Sequence, residues 1–165
     1  MKQISGLLAS AIQDIRSLSK TLDSDTVQRF GLRESLHLEL DRIDKTGRFQ
    51  TILNVNGTPY SLGEQTETVL FRMTQEALNN AIKHSSSHVL TVSLDYQPTS
   101  FTLTVTDNGK GFVAEEVYER DLNHNGSGLR NLERRAKLLG GTCVITSKPN
   151  DGTRIEISVP RSSNT

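Results

Sequence analysis

Val105-Thr106-Asp107-Asn108-Gly109-Lys110-Gly111-Phe112 decides how this chain is read. The run Phe101-Thr102-Leu103-Thr104-Val105-Thr106 leads into it. Phe101, Leu103 and Val105 alternate with three threonines, the period of a half-buried strand. Side chains two apart share a face, so Asp107 continues the buried row. A carboxylate aimed inward is costly unless something donates to it. Gly109 and Gly111 follow at once and allow backbone to approach a ligand closely. The plain alternative is an Asp-Asn-Gly turn closing a hairpin, and only the motifs around it weigh against that reading.

The strand Val89–Tyr96, with Leu90, Val92, Leu94 and Tyr96 on one face, turns through Gln97-Pro98-Thr99-Ser100 into the Asp107 strand, so the two are antiparallel neighbours. Upstream, Ser61-Leu62-Gly63-Glu64 has the form of a capping box and opens a helix over about 62 to 84. Val69, Leu70, Met73, Ala77 and Ala81 form its apolar stripe. Glu76, Asn80 and Lys83 fall at i, i+4 and i+7, in a row bordering that stripe. Such a row is either a solvated flank or the wall of a cleft. The pair Asn79-Asn80, unfavourable in mid-helix, leans toward the cleft.

Downstream, a polar, charged stretch from Val113 to Asn125 reads as a mobile loop. Gly126-Ser127-Gly128 then enters a helix with Leu129, Leu132, Ala136 and Leu139 inward, closed by Gly140-Gly141. Free amides and the positive end of a helix dipole suit an anion, although Ser127 reads equally as an N-cap. Two strands, near 142 to 147 and 153 to 159, flank an Asn150-Asp151-Gly152 turn.

At the other end, Ile4, Leu8, Ala11, Ile15, Leu18 and Leu22 make an apolar heptad seam over residues 1 to 22. Asp23-Ser24-Asp25 breaks that helix. A second follows from about 31 to 44, and Phe49 to Val55 alternates as a strand. Nineteen basic and nineteen acidic residues cancel among 165, so no net field favours nucleic acid or an anionic membrane. One cysteine, Cys143, excludes an internal disulfide and a cysteine metal cluster. No stretch reaches the length of a membrane span, and a cytoplasmic setting is expected for this part of the chain.

Taken together, four motifs resemble those of one family. Gln75 to His84 resembles the asparagine box of the histidine-kinase ATP-binding domain. Asp107 to Phe112 resembles its first glycine box, Gly126 to Leu132 its second, and Gly152-Thr153-Arg154 its closing Gly-Thr element. The wording Glu76-Ala77-Leu78-Asn79-Asn80-Ala81 and the short lid are similar to sensor kinases that partner response regulators with helix-turn-helix output domains. That resemblance implies an α/β two-layer sandwich, with a mixed sheet and helices on one face. It implies a partial dimerisation helix and linker over 1–30, a catalytic domain over 31–160 and a disordered tail at 161–165.

The resemblance also implies the chemistry. ATP is bound with Mg2+, and its γ-phosphoryl group passes to a histidine on a dimerisation helix. Glu76 is the catalytic residue and Asn80 the metal ligand. Asn80, Lys83, Asp107, Gly109, Gly111, Gly126, Ser127, Gly128, Leu129 and Thr153 bind the nucleotide. Lys110 competes with Lys83 for the phosphates. The implied partners are ATP, the histidine-bearing dimerisation domain, a response regulator and a second copy joined through residues 1–22; no nucleic acid is expected. None of His37, His84, His88 and His124 is followed by the acidic residue that marks the family's phosphoacceptor, so this chain is expected to act as a catalytic fragment. The rival expectations are a related serine kinase that inhibits a sigma factor and an ATP-gated interaction module without enzymatic activity.

Overall fold

The computed structural model describes residues 25–84, 86–113, 115–117, 119 and 128–161. The expected helix over 1–22 and its pairing with a second copy lie outside the described residues. Five strands form one mixed sheet: β1 (Gln50–Asn56), β2 (Val89–Tyr96), β3 (Ser100–Asp107), β4 (Thr142–Ser147) and β5 (Thr153–Pro160). Their order across the sheet is β1-β2-β3-β5-β4. The pair β1 and β2 is parallel, and every other pair is antiparallel. A parallel pair needs a long crossover, which α2 (Glu64–His84) supplies. The other described helices are α1 (25–44) and α3 (Gly128–Leu138). Among the described residues, no helix is long and apolar enough to cross a membrane.

Register converts the alternation of single strands into rows across the sheet. Leu53, Val92, Val105, Ile155 and Ile145 make one row. Val55, Leu94, Leu103, Ile157 and Cys143 make the next. Leu94, Leu103 and Ile157 are fully buried. These rows face α1, α2 and α3, whose Leu36, Leu70, Met73 and Leu132 are equally buried in the same core. Each such side chain contributes roughly 1.5–3 kcal/mol. The opposite face carries Thr91, Ser93, Thr106 and Arg154 and needs no cover. Cys143 is packed against the core edge, and burial pushes its thiol up to about 11. Helix α3 ends in a Schellman motif: Gly141 N–H donates to Ala136 O at 2.8 Å and Gly140 N–H to Lys137 O at 2.9 Å.

Four local details differ from the sequence reading. Helix α1 already covers residues 25–30, ahead of the expected start at 31: Gly31 takes φ 78° without ending the helix, and Ser35 Oγ donates to its carbonyl at 2.7 Å. Helix α2 begins at Glu64 rather than 62, and its cap is not the expected box. Gly63 N–H donates to Ser61 Oγ at 3.2 Å, while Glu67, not Glu64, reaches back to Leu62 N–H at 3.2 Å. Residues 115–117, read as loop, are helical. Arg161, expected to open the tail, is pinned: its N–H donates to Thr99 O at 2.9 Å and its guanidinium sits 3.9 Å from the Tyr60 ring centroid.

One further core-facing row is largely polar: Thr51, Leu90, Asp107, Thr153 and Ser147. It lies at the end of β3 where the chain leaves the sheet. Asn108, the next residue, ties that end to the start of β2. Its Oδ1 accepts from His88 N–H and Val89 N–H, both at 3.0 Å, and lies 2.8 Å from Ser87 Oγ. With three donors converging on one oxygen, removal leaves backbone amides without their acceptor. Asn108→Ala is expected to lower stability by about 1–3 kcal/mol, read as a lower urea midpoint at unchanged slope.

Candidate active site

Asp107 forms the floor of a cavity of about 610 Å³ between the sheet end, α2 and the start of α3. That size falls within the usual range for a small-molecule site. Parity puts the Asp107 carboxylate on the core face of β3, and it is 8% exposed. Its Oδ1 accepts from Gly109 N–H at 2.8 Å. Burial raises its pKa above the usual 3.8, and the backbone N–H groups of Gly109 and Thr153 partly oppose that rise. The carboxylate is therefore desolvated yet only partly paired, a state that a ligand donor relieves.

The walls beside it are apolar. Val105 and Ile155 flank Asp107 on the sheet, and Ala77 and Ala81 face them from α2. Alanine at both positions leaves the gap that larger side chains would fill. Asn80 lies on the same side of α2, and Gly128, the first residue of α3, stands beside it: a Cβ built on Gly128 would come 3.7 Å from Asn80 Nδ2. Leu129 and Thr153 complete the inner wall, while Lys110, Gly111, Phe112, Val113, Glu116, Val117 and Pro149 form the rim.

The rim is fixed by a lock between the first glycine stretch and the β4–β5 turn. Gly111 has φ 63°, and a Cβ there would collide with the carbonyl of Lys148. Gly152 has φ 72°, and a Cβ there would collide with the carbonyl of Asp107. Asn150 N–H donates to Lys110 O at 2.6 Å. Phe112 N–H donates to Ser147 Oγ at 2.9 Å, and that hydroxyl also meets Gly152 O at 3.1 Å and Thr153 Oγ1 at 2.9 Å.

Of the residues singled out in the sequence, Asn80, Asp107, Gly111, Gly128, Leu129 and Thr153 line this one cavity. Gly109 serves through its N–H to Asp107. Gly126 and Ser127 lie outside the described residues. Lys83 is exposed and does not line the cavity, whereas Lys110 does. Glu76 does not line it either: its Oε2 accepts from Arg135 Nη1 of α3 at 2.7 Å. Ala77, Ala81, Val105 and Ile155 were legible as core positions, and their role as ligand walls follows only from the gap between them. Pro149 carried no signal in the sequence, while Glu116 and Val117 belong to the Val113–Asn125 stretch already read as a loop near the site.

Residues 65–163 match the family described as histidine kinase-, DNA gyrase B- and HSP90-like ATPase. The chain belongs to that ATPase family. Among curated relatives, it is 32% identical over 161 residues to the signal transduction histidine-protein kinase/phosphatase DegS of Brevibacillus brevis, covering 97% of this chain and 40% of that protein. It is also 32% identical over 160 residues to the sensor histidine kinase LiaS of Bacillus subtilis, covering 97% and 42%. The chain thus spans about two fifths of the length of these relatives. A solved blue-light-activated histidine kinase of Erythrobacter litoralis shares the fold, with a TM-score of 0.69, 20% identity, and coverage of 96% of this chain and 51% of that one. The ATP-binding fold of the family thus carries the cavity above Asp107.

A partly paired carboxylate in the floor burdens the protein. Asp107→Asn keeps an oxygen for Gly109 N–H and removes the desolvated charge. ATP affinity is expected to fall about ten- to a hundredfold, the scale of one charge-assisted hydrogen bond, as read by calorimetry. The fold is expected to survive. Because the folded pKa is raised, folded wild type holds its proton above 3.8 while unfolded chain releases it. Wild-type stability relative to the variant should therefore fall as pH rises through that window, as read from urea midpoints in acid and at neutrality.

Proposed function

We propose that this chain is the catalytic domain of a two-component sensor histidine kinase, binding Mg-ATP and passing the γ-phosphoryl group to a histidine on a dimerisation helix. The observation that carries the reading is the partly paired Asp107 carboxylate at the floor of an otherwise apolar slot. Adenine offers an exocyclic amino donor and flat apolar faces, and the slot matches both. Guanine would present a carbonyl to the carboxylate and be repelled. From the floor, the cavity runs to Asn80 and to the first amides of α3, where free N–H groups and the helix dipole suit a triphosphate. Gly126, Ser127, Gly128 and Leu129 are assigned to that end, with Lys110 placed better for phosphate than Lys83.

Among the described residues there is no cluster of three or more His, Cys, Asp and Glu side chains able to hold a metal. Asn80 lines the cavity and offers one neutral side-chain oxygen, which suits a magnesium ion held mainly by phosphates and waters. When bound, the ion neutralises phosphate charge. Glu76, one turn before Asn80 on α2, is assigned to orient or deprotonate the attacking histidine. Phosphoryl transfer asks chiefly for such positioning and charge neutralisation. Residues 1–30 are assigned to the end of the dimerisation helix and its linker, residues 31–160 to the catalytic domain, and a response regulator is the onward acceptor.

Adding a separately made histidine-bearing dimerisation domain and γ-labelled ATP tests the reading. Acid-labile, base-stable label on that domain is expected, and none on His37, His84, His88 or His124 of this chain. Label on serine would favour the sigma-factor-inhibitor kinase, and no transfer the ATP-gated module. Asn80→Ala should weaken nucleotide binding in magnesium far more than in chelator. Equal losses in both would make Asn80 a packing residue.

A further inference from the structure

We infer that Arg135 is a positioning residue for Glu76. The inference rests on the kinase reading above. Two charged side chains 59 positions apart in sequence meet across α2 and α3, with Arg135 Nη1 2.7 Å from Glu76 Oε2. The pair is partly shielded from water, the arginine side chain 40% and the glutamate 28% exposed. Neither side chain makes another hydrogen bond or ion pair among the described residues. The pair sits on the line along which α2 and α3 already touch. One turn along α2 from Glu76, Asn80 stands against Gly128; two turns along α3 from Gly128 lies Arg135.

That placement gives the arginine a role beyond joining helices. A lone glutamate on a helix flank samples several rotamers, with three rotatable bonds to its carboxylate. The guanidinium fork reduces these to one direction and holds the carboxylate beside the Asn80 end of the cavity. Oε1 has no hydrogen-bond partner among the described residues, and that oxygen is the one offered to an incoming imidazole N–H. Held this way, Glu76 acts as an acceptor that orients the imidazole with its other nitrogen toward the phosphate. The geometry is bidentate-capable on the arginine side, which a lysine reproduces in charge but not in direction.

Phosphotransfer to a separately added histidine-bearing domain, with ATP affinity measured by calorimetry, tests this. Arg135→Ala should slow transfer at saturating ATP by about a hundredfold, the scale of a reacting group misplaced by an ångström. Its ATP dissociation constant should stay within about twofold of wild type, since Arg135 does not line the cavity. Arg135→Lys should recover part of the rate. Adding Arg135→Ala to Glu76→Gln should cost little more than Glu76→Gln alone, because the two act as one unit. Wild-type transfer by Arg135→Ala, faster transfer, or full additivity would each overturn the inference while leaving the kinase reading intact. If Glu76→Gln itself transfers normally, the catalytic assignment of Glu76 falls and the inference with it. Weakened ATP binding in both Arg135 variants would make the pair a structural tie only.

Discussion

Everything at the functional end of this molecule depends on one unfavourable act, the burial of the Asp107 carboxylate. The strand period forces it: Phe101, Leu103, Val105 and Asp107 share a face, and the first three are needed in the core. The chain cannot turn Asp107 outward without turning the apolar row outward with it. What surrounds the carboxylate limits the damage instead. Gly109 and Thr153 offer backbone N–H groups. The β4–β5 turn, locked through Gly111, Gly152 and Ser147, keeps the rim from collapsing onto the gap. Under the proposed function, an amino group on the ligand makes good the remaining shortfall in hydrogen bonding. On that proposal, destabilisation of the empty state and affinity for the ligand are two aspects of the same residue.

Much of this was legible in the sequence because it follows local periodicities. The alternation in β2 and β3 located the strands and their antiparallel pairing, and the same counting put Asp107 on the buried face. The mixed sheet with helices packed against it followed from the resemblance of four motifs. The site residues that came together, Asn80, Asp107, Gly111, Gly128, Leu129 and Thr153, all belonged to those motifs. The parallel pairing of β1 with β2 was not legible, since a period of two says nothing about strand direction.

What escaped was determined by contacts between distant segments. Nothing near Pro149 in sequence says that it meets the loop after β3. Asn108 reads as an ordinary turn residue until its oxygen is seen gathering two backbone amides and a hydroxyl from the head of β2. Glu76, Asn80 and Lys83 share one row by helical counting, yet they separate in space. Asn80 faces the cavity, Lys83 faces water, and Glu76 turns to Arg135, a partner on a helix that begins 52 residues later. The cap of α2 failed for a similar reason: Gly63 at φ 94° shifts the first turn, and Glu67 is then the carboxylate within reach.

The central position of β3 has a further consequence for how this architecture tolerates change. Its two neighbours come from opposite directions in the chain: β2 arrives through a short turn, and β5 only after the whole of α3 and β4. The stretch from 114 to 127 therefore spans two points that the sheet and α3 hold independently of it. Closing a loop costs free energy that grows only with the logarithm of its length, about 0.6 kcal/mol for each doubling. Residues added to or removed from that stretch leave every strand pairing and the Asp107 floor where they are. The connection between Val113 and Gly128 is thus a region in which length can drift over evolutionary time at little expense to folding, while the Asp107 floor cannot shift by a single residue.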